Sequence, residues 1–272
     1  RFCLEFVRGD EIRGGFFGLS TSQWISMILL PLGMWIVFWK SKKIEDKKEK
    51  NIDENAPKMK ILKEKFDKKE IQNLPKSIFE GRIITIQTSN EADKAIEYLM
   101  KQSILGIDTE TRPSFKKGTS YKVALLQVST HDTCFLFRLN MIGVNNSIKK
   151  LLEDCSIIKV GLSLKDDLHQ LSKRCDFTPG NYIDIQQMAK EIGIADRSLQ
   201  KLYANLFAKK ISKNQQLSNW ETSTLSDAQK LYAATDAWAC IKIYEEMKRL
   251  IQTKDYTIEK AELLEHPINV TN

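Results

Sequence analysis

Three small acidic clusters in this 272-residue chain have the residue types and spacing to hold hard cations. In Leu231-Tyr232-Ala233-Ala234-Thr235-Asp236-Ala237-Trp238, a phenol and a carboxylate stand four positions apart, which on a helix aims both at one point in space. A helix that buries Leu231, Ala234 and Ile241 has no packing use for an acid between them, so Asp236 asks for a counter-charge or a metal. An exposed acid beside a core tyrosine would satisfy the same stretch. In Asp108-Thr109-Glu110, after the apolar Ile104-Leu105-Gly106-Ile107, two carboxylates two positions apart project from one face of an extended chain. Bare carboxylates that close repel each other and raise one pKa, a penalty that a divalent cation removes. The third cluster is Asp166-Asp167, where a strand ending near Gly161 and a helix starting about Lys165 would offer a carboxylate over the sheet edge. Asp167 shares a helical face with Leu171 and is the inward candidate, with Asp166 exposed. The helix dipole alone also favours both at a helix start.

These acids need a scaffold, and the chain carries one. A run of helical period over residues 225–250 opens on Ser226-Asp227-Ala228-Gln229, which has the form of a capping box. Upstream, residues 82–86 read as a strand and 89–100 as a helix. Strands follow at 104–107, 123–128 and 134–139, then a helix at 148–152, a strand at 157–160 and mostly helices thereafter. Strands early and helices late predict an α/β domain with one mixed sheet flanked by helices. The length suits one such domain with appendages.

Composition narrows the chemistry. The formal charge of +7 suits a partner that carries phosphates, although a basic linker would supply the same excess. Five scattered cysteines without a CxxC pair, and three histidines far apart, speak against disulfides and a structural zinc site. His169 reads as a helix-surface residue. Residues 24–39 are uncharged and strongly apolar, with Trp24, Trp35 and Trp39 near their ends and Lys40, Lys42 and Lys43 following at once. That pattern predicts a short transmembrane helix with everything after residue 40 cytoplasmic. Residues 42–70 hold eleven Lys against eight Asp and Glu, the composition of a solvated tether. The expected organisation is a membrane segment at 1–40, a charged linker at 41–74, the catalytic domain at 75–250 and a tail at 251–272.

Two resemblances bear on function. Arg1-Phe2-Cys3-Leu4-Glu5-Phe6-Val7-Arg8, with Gly18-Leu19-Ser20-Thr21-Ser22-Gln23-Trp24-Ile25-Ser26, resembles the C-terminal end of prolipoprotein diacylglyceryl transferase. The likeness covers about the first 40 residues, and the rest of that enzyme is absent. A gene fusion, or two neighbouring genes joined, would account for it; in the second case the rest of the chain would be soluble and cytoplasmic. The second resemblance runs over residues 80–248. Asp108-Thr109-Glu110, the segment from Gly161 to Leu171 with Asp167, and Tyr232-Ala233-Ala234-Thr235-Asp236 are similar, in order and separation, to the three motifs of the DEDD superfamily of 3'-5' exonucleases. Tyr232 places the chain in the tyrosine subclass. Leu217-Ser218-Asn219-Trp220-Glu221 and Lys122-Val123-Ala124-Leu125-Leu126-Gln127 resemble elements of its ribonuclease D and Werner-type branch.

That resemblance implies a ribonuclease H-like sheet and a nucleic-acid substrate. It implies that Asp108, Glu110, Asp167 and Asp236 bind two Mg²⁺ or Mn²⁺ ions while Tyr232 orients the attacking water. Hard oxygen ligands suit these ions, and two of them about 3.5–4 Å apart serve both the entering and the leaving oxygen of a displacement. A tyrosine with a pKa near about 10 is a poor general base at neutral pH, which leaves Tyr232 a positioning role. Lys213, seven residues before the tryptophan, is a candidate phosphate contact. Asn219 and Trp220 are further substrate-binding candidates, the tryptophan also suiting a role packed against the catalytic helix. Phe115 and Tyr121, in the loop after the first motif, could stack on single-stranded bases. A binding module without catalysis, or a lipoprotein-transferase fragment fused to a nuclease, are the competing functions.

Overall fold

A computed structural model describes residues 59–260, apart from Lys117, together with Trp35. The membrane segment, most of the linker and the end of the tail, and with them the transferase-like stretch, lie outside the described residues. Among the described residues no helix is long and apolar enough to cross a membrane.

Going along the chain, the elements are β1 (Lys60–Lys63), α1 (Lys68–Gln72), β2 (Arg82–Ile86), α2 (Ser89–Leu99), β3 (Ile104–Glu110), β4 (Leu125–Ser129) and β5 (Thr133–Phe137). There follow α3 (Leu139–Ile142), α4 (Asn146–Glu153), β6 (Ile158–Gly161), α5 (Leu164–Ser172) and β7 (Tyr182–Asp184). The last are α6 (Ile185–Ile192), α7 (Leu199–Phe207), α8 (Asp227–Thr253) and β8 (Tyr256–Glu259). The main sheet has the order β2-β5-β4-β3-β6-β7. Its β4 is antiparallel to both neighbours, while β2 with β5, β3 with β6 and β6 with β7 run parallel. This is the mixed sheet expected from the sequence. Strand β3, which carries Asp108 and Glu110, lies inside it.

Both faces of the sheet are covered, as strands with nearly every position buried require. Leu105 and Ile107 of β3 and Leu126 and Val128 of β4 pack on α2, α4 and α5. On the other face Leu125 and Leu136 meet Ala233 and Ala234 of α8, and Val160 meets Ala239 and Ile243. Helix α8 is 27 residues long and starts on the expected capping box, with the Ser226 hydroxyl accepting from Gln229 N and the Gln229 side chain accepting from Ser226 N. Arg138, fully buried at the end of β5, donates to the carbonyls of Thr222 and Ser223 and so fixes the loop that leads into this helix.

The domain is larger than its apolar periodicity suggests. Residues 60–63, read as linker, form β1 and pair in parallel with β8, read as part of the tail. Leu62 is fully buried, and Phe66 and Ile71 pack on Ala204 of α7. Asn205 acts as a surrogate strand neighbour, its Oδ1 accepting from Lys63 N at 3.0 Å and its Nδ2 donating to Lys63 O at 2.7 Å. The expectation of a tether up to residue 74 is therefore corrected. Three buried apolar residues spaced among lysines and acids are too sparse to show as a period, but side-chain hydrogen bonds from α7 hold the strand in place.

Candidate active site

Close contact between β3 and α8 brings the Asp108-Glu110 pair and the Tyr232-Asp236 pair together. A Cβ on Gly106 would lie 1.9 Å from the carbonyl oxygen of Ala237, so only a glycine lets the helix backbone rest directly on the strand. Residues 106, 108 and 110 share one strand face. Above Gly106 that face meets Asp236, next to Ala237, and Tyr232 one turn earlier. Carboxylate oxygens of Asp108, Glu110 and Asp236 all lie within 4.8 Å of one another. Glu110 and Asp236 are buried and Asp108 is half-buried.

Asp167 arrives from the other side of β3. Its Oδ1 accepts a 2.5 Å hydrogen bond from the hydroxyl of Thr109, the residue between Asp108 and Glu110. Asp167 is half-buried, whereas Asp166 and His169 are exposed, as their positions on the helix predicted. The approach of α5 is set by Asp184, which accepts from the backbone N–H groups of Ser163 and Leu164 at 3.2 and 3.0 Å and also caps α6. Ser163, at the α5 N-cap, has φ 57°, a left-handed conformation that costs a non-glycine residue about 1–2 kcal/mol. Its two-sided anchoring by Asp184 makes that conformation tolerable.

Burial leaves its mark on all four acids, and charge repulsion adds to it at Asp108, Glu110 and Asp167. Burial, then Asp167, Asp236 and Glu110, hold the Asp108 carboxyl well above the usual range. Burial, then Asp236 and Asp167, push Glu110 up to about 9. Burial raises Asp236 to about 7 against the opposing effects of a Tyr232 hydrogen bond and the Lys213 charge. Asp167 rises to about 6, again chiefly through burial, with the Thr109 hydrogen bond opposing it. The Tyr232 phenol is driven upward by burial and by the charges of Asp236 and Glu110, so it stays protonated. Four acids that resist ionising together are a poor match for water and a good match for divalent cations, whose charge would release their protons. Carboxylate oxygens are the donors that Mg²⁺ and Mn²⁺ prefer.

This has a measurable consequence. Between about pH 4, where unfolded carboxyls ionise, and about 9, where Glu110 does, the folded state binds more protons than the unfolded one. Stability of the metal-free protein then falls as pH rises through that window. Glu246, held down to about 2 first by Arg249 and also by Lys60, contributes fully above the unfolded carboxyl pKa and adds no slope there. We expect thermal midpoints in EDTA to drop from pH 5 to pH 8.5, and Mn²⁺ to restore much of the loss at the higher pH. A midpoint that climbs over that range in EDTA would contradict the reading.

A cleft of about 370 Å³ opens over the acids, lined by Asp108, Glu110, Tyr232 and Asp236. The same cleft is lined by Arg197, Ser198, Gln200, Lys213 and Gln216. Lys213 is exposed and close enough for its charge to act on Asp236, as a phosphate contact beside the acids requires. Asn219 is exposed but does not line this cleft. Its Oδ1 accepts from Glu221 N at 3.1 Å and its carbonyl accepts from Gln229 Nε2 at 3.2 Å, which ties the loop to the α8 cap. Trp220 is fully buried, with its ring 6.0 Å from that of Tyr232. Of its two expected roles, packing behind the phenol is the one its position serves; base stacking needs a face open to solvent. Phe115 is 85% exposed at its loop, and Tyr121 is covered by the Arg112 guanidinium at 4.8 Å.

Several contributors had little or no signal in the sequence. Thr109 was readable only as a spacer, although a hydroxyl between two acids is a donor in reach. Asp184 has the residue type of a helix cap, but nothing local ties it to a helix twenty residues earlier. Arg197 stands alone among small and mixed residues and carries no pattern at all.

A profile of the 3'-5' exonuclease family matches residues 83–252. The mouse bifunctional 3'-5' exonuclease/ATP-dependent helicase WRN is 30% identical over 201 residues, covering 70% of this chain and 14% of the relative. An Arabidopsis thaliana 3'-5' exonuclease is 31% identical over 195 residues, covering 66% of this chain and 68% of the relative. Among solved structures, the Aedes aegypti Nibbler EXO domain superposes with a TM-score of 0.59 at 18% identity, over 65% of this chain and 93% of that one. At that identity the likeness speaks to the fold, and it agrees with the ribonuclease H-like architecture expected from the motifs.

Proposed function

The chain belongs to the 3'-5' exonuclease family, and from that membership we propose that it is a divalent-cation-dependent enzyme hydrolysing the phosphodiester bond at the 3' end of DNA or RNA, releasing nucleoside monophosphates. The observation that carries the proposal is the meeting of Asp108, Glu110 and Asp236 within 4.8 Å under a cleft that Tyr232 also lines. Asp108, Glu110, Asp167 and Asp236 would hold two Mg²⁺ or Mn²⁺ ions. When bound, such ions activate water and stabilise the leaving 3'-oxygen.

The protein's own groups do the remaining work. Tyr232, kept protonated, offers a fixed O–H and a lone pair to orient the attacking water above the acids. Thr109 holds Asp167 in place beside the strand pair. Lys213 and Arg197, which line the same cleft, supply positive charge for the phosphates of the entering strand. Phe115 is exposed beside Lys116 in the loop after β3 and suits stacking on an unpaired base. The membrane tether read from residues 24–39 belongs to this proposal as well, supported by the uncharged stretch, its tryptophans and the lysines that follow.

Incubating the chain with 5'-labelled oligonucleotides in Mn²⁺ and in EDTA tests the reading. Stepwise shortening from the 3' end in Mn²⁺ alone, with mononucleotide product, is the expected result. Tight binding with no metal-stimulated cleavage would mark a binding module and overturn it. In the same assay Tyr232→Phe should lower kcat about 10²-fold with KM nearly unchanged, because the ring still packs on Trp220. An unchanged kcat would remove the phenol from the chemistry.

A further inference from the structure

Gln127, in the middle of β4, is fully buried, and neither its Nε2 nor its Oε1 has a hydrogen-bond partner. A buried amide left unpaired works against folding, and a methionine of nearly the same shape would fill the position without that cost. The surroundings explain why the amide is unpaired. Antiparallel register sets Gln127 directly opposite Asp108, so the two side chains leave the sheet on the same face, with Cβ atoms about 5 Å apart. Its register partner on β5 is Leu136. Two positions along β4 stand Leu125 and Ser129, the latter already donating to the Thr130 carbonyl at 2.8 Å. Where α8 crosses Leu125 and Leu136 on this face, it presents Ala233 and Ala234. Asp108 is therefore the polar side chain that the register sets against the amide. A ligating carboxylate at Asp108 needs one oxygen fixed by a donor, and the amide directly opposite is placed to supply it.

We propose that Gln127 is a positioning residue for the cation site, its Nε2 donating to the Asp108 carboxylate once a cation is bound and setting which oxygen faces the ion. The inference rests on reading the acids as cation ligands. It follows the general requirement that a ligating carboxylate be held by hydrogen bonds of its own, without which cations bind about 10–100-fold more weakly. An amide suits this task better than a charged group, since a lysine would compete with the cation and an acid would add to the repulsion.

The test measures Mn²⁺ affinity by calorimetry, and thermal midpoints in EDTA, for the full chain and for Gln127→Met. The expected result is Mn²⁺ binding about 10–100-fold weaker in the variant, with a metal-free midpoint equal to or above that of the parent. An unchanged affinity overturns the proposal, and so does a lower metal-free midpoint, which would show the amide to be partnered within the fold. Gln127→Asn, which keeps the amide but sets it back by one methylene, should show the same weakening if Gln127→Met does not fold, and full affinity there also overturns the proposal. Asp108→Asn separates this inference from the reading beneath it. If Asp108→Asn binds Mn²⁺ like the parent, the ligand assignment itself fails; if it loses binding while Gln127→Met keeps it, only the role of Gln127 falls.

Discussion

Replacing Asp108 with asparagine should cut exonuclease activity by about 10³-fold or more while making the metal-free protein more stable. The two effects have one cause. Asp108 sits where burial and the charges of Asp167, Asp236 and Glu110 all oppose its ionisation, and an amide of the same shape escapes that conflict. In EDTA near pH 8 the thermal midpoint of Asp108→Asn should exceed that of the parent by about 3 °C, the equivalent of roughly 1 kcal/mol in a domain of this size. Adding Mn²⁺ should reverse the order, because the parent gains binding energy that the variant lacks. Lower stability of the variant in EDTA would show that Asp108 is satisfied without a cation and would undermine the metal site.

Gly106→Ala should be as damaging as the loss of a ligand, although Gly106 touches no substrate. The added methyl would lie 1.9 Å from the Ala237 carbonyl oxygen and 2.9 Å from its carbonyl carbon, both of them backbone atoms that cannot swing aside. Helix α8 must then lift from β3. Overpacking of this kind costs about 1–3 kcal/mol, and more where the backbone resists. The displaced helix carries Tyr232 and Asp236, and a shift of about 1 Å is worth about 10²-fold in rate. Circular dichroism melting and the oligonucleotide assay, run together, should therefore show a destabilised protein whose folded fraction is also nearly inactive. A variant that melts lower yet keeps its specific activity would mean that the strand and the helix are not what aligns the acids.

Much of this arrangement was legible before any coordinates. The capping box at Ser226, the strand at 104–107 and the helix after Gly161 were strong local patterns, and each acid sits on the element assigned to it. The inward choice of Asp167 over Asp166 followed from Leu171 on the same helical face. What escaped depended on contacts between distant segments. The Thr109 hydrogen bond, the Asp184 anchor and the alignment of Gln127 with Asp108 all need the register of strands or the approach of one helix to another. No local period encodes these. Strand β7 is three half-buried residues, too short for alternation to register. Packing of Trp220 against the helix of the third motif was among the roles its sequence position suggested, whereas the bond from Gln229 to the Asn219 carbonyl has no local signal.

The pairing of β1 with β8 sets the order in which this protein can become complete. Lys60 meets Tyr256, so a chain emerging amino end first carries its opening strand without a partner until almost all of the domain has been made. Tyr232 and Asp236 lie on α8, the last helix among the described residues, ahead of β8. A chain that has not yet reached α8 therefore holds Asp108, Glu110 and Asp167 without Asp236 and Tyr232, and its acidic site stays incomplete until that helix docks on β3.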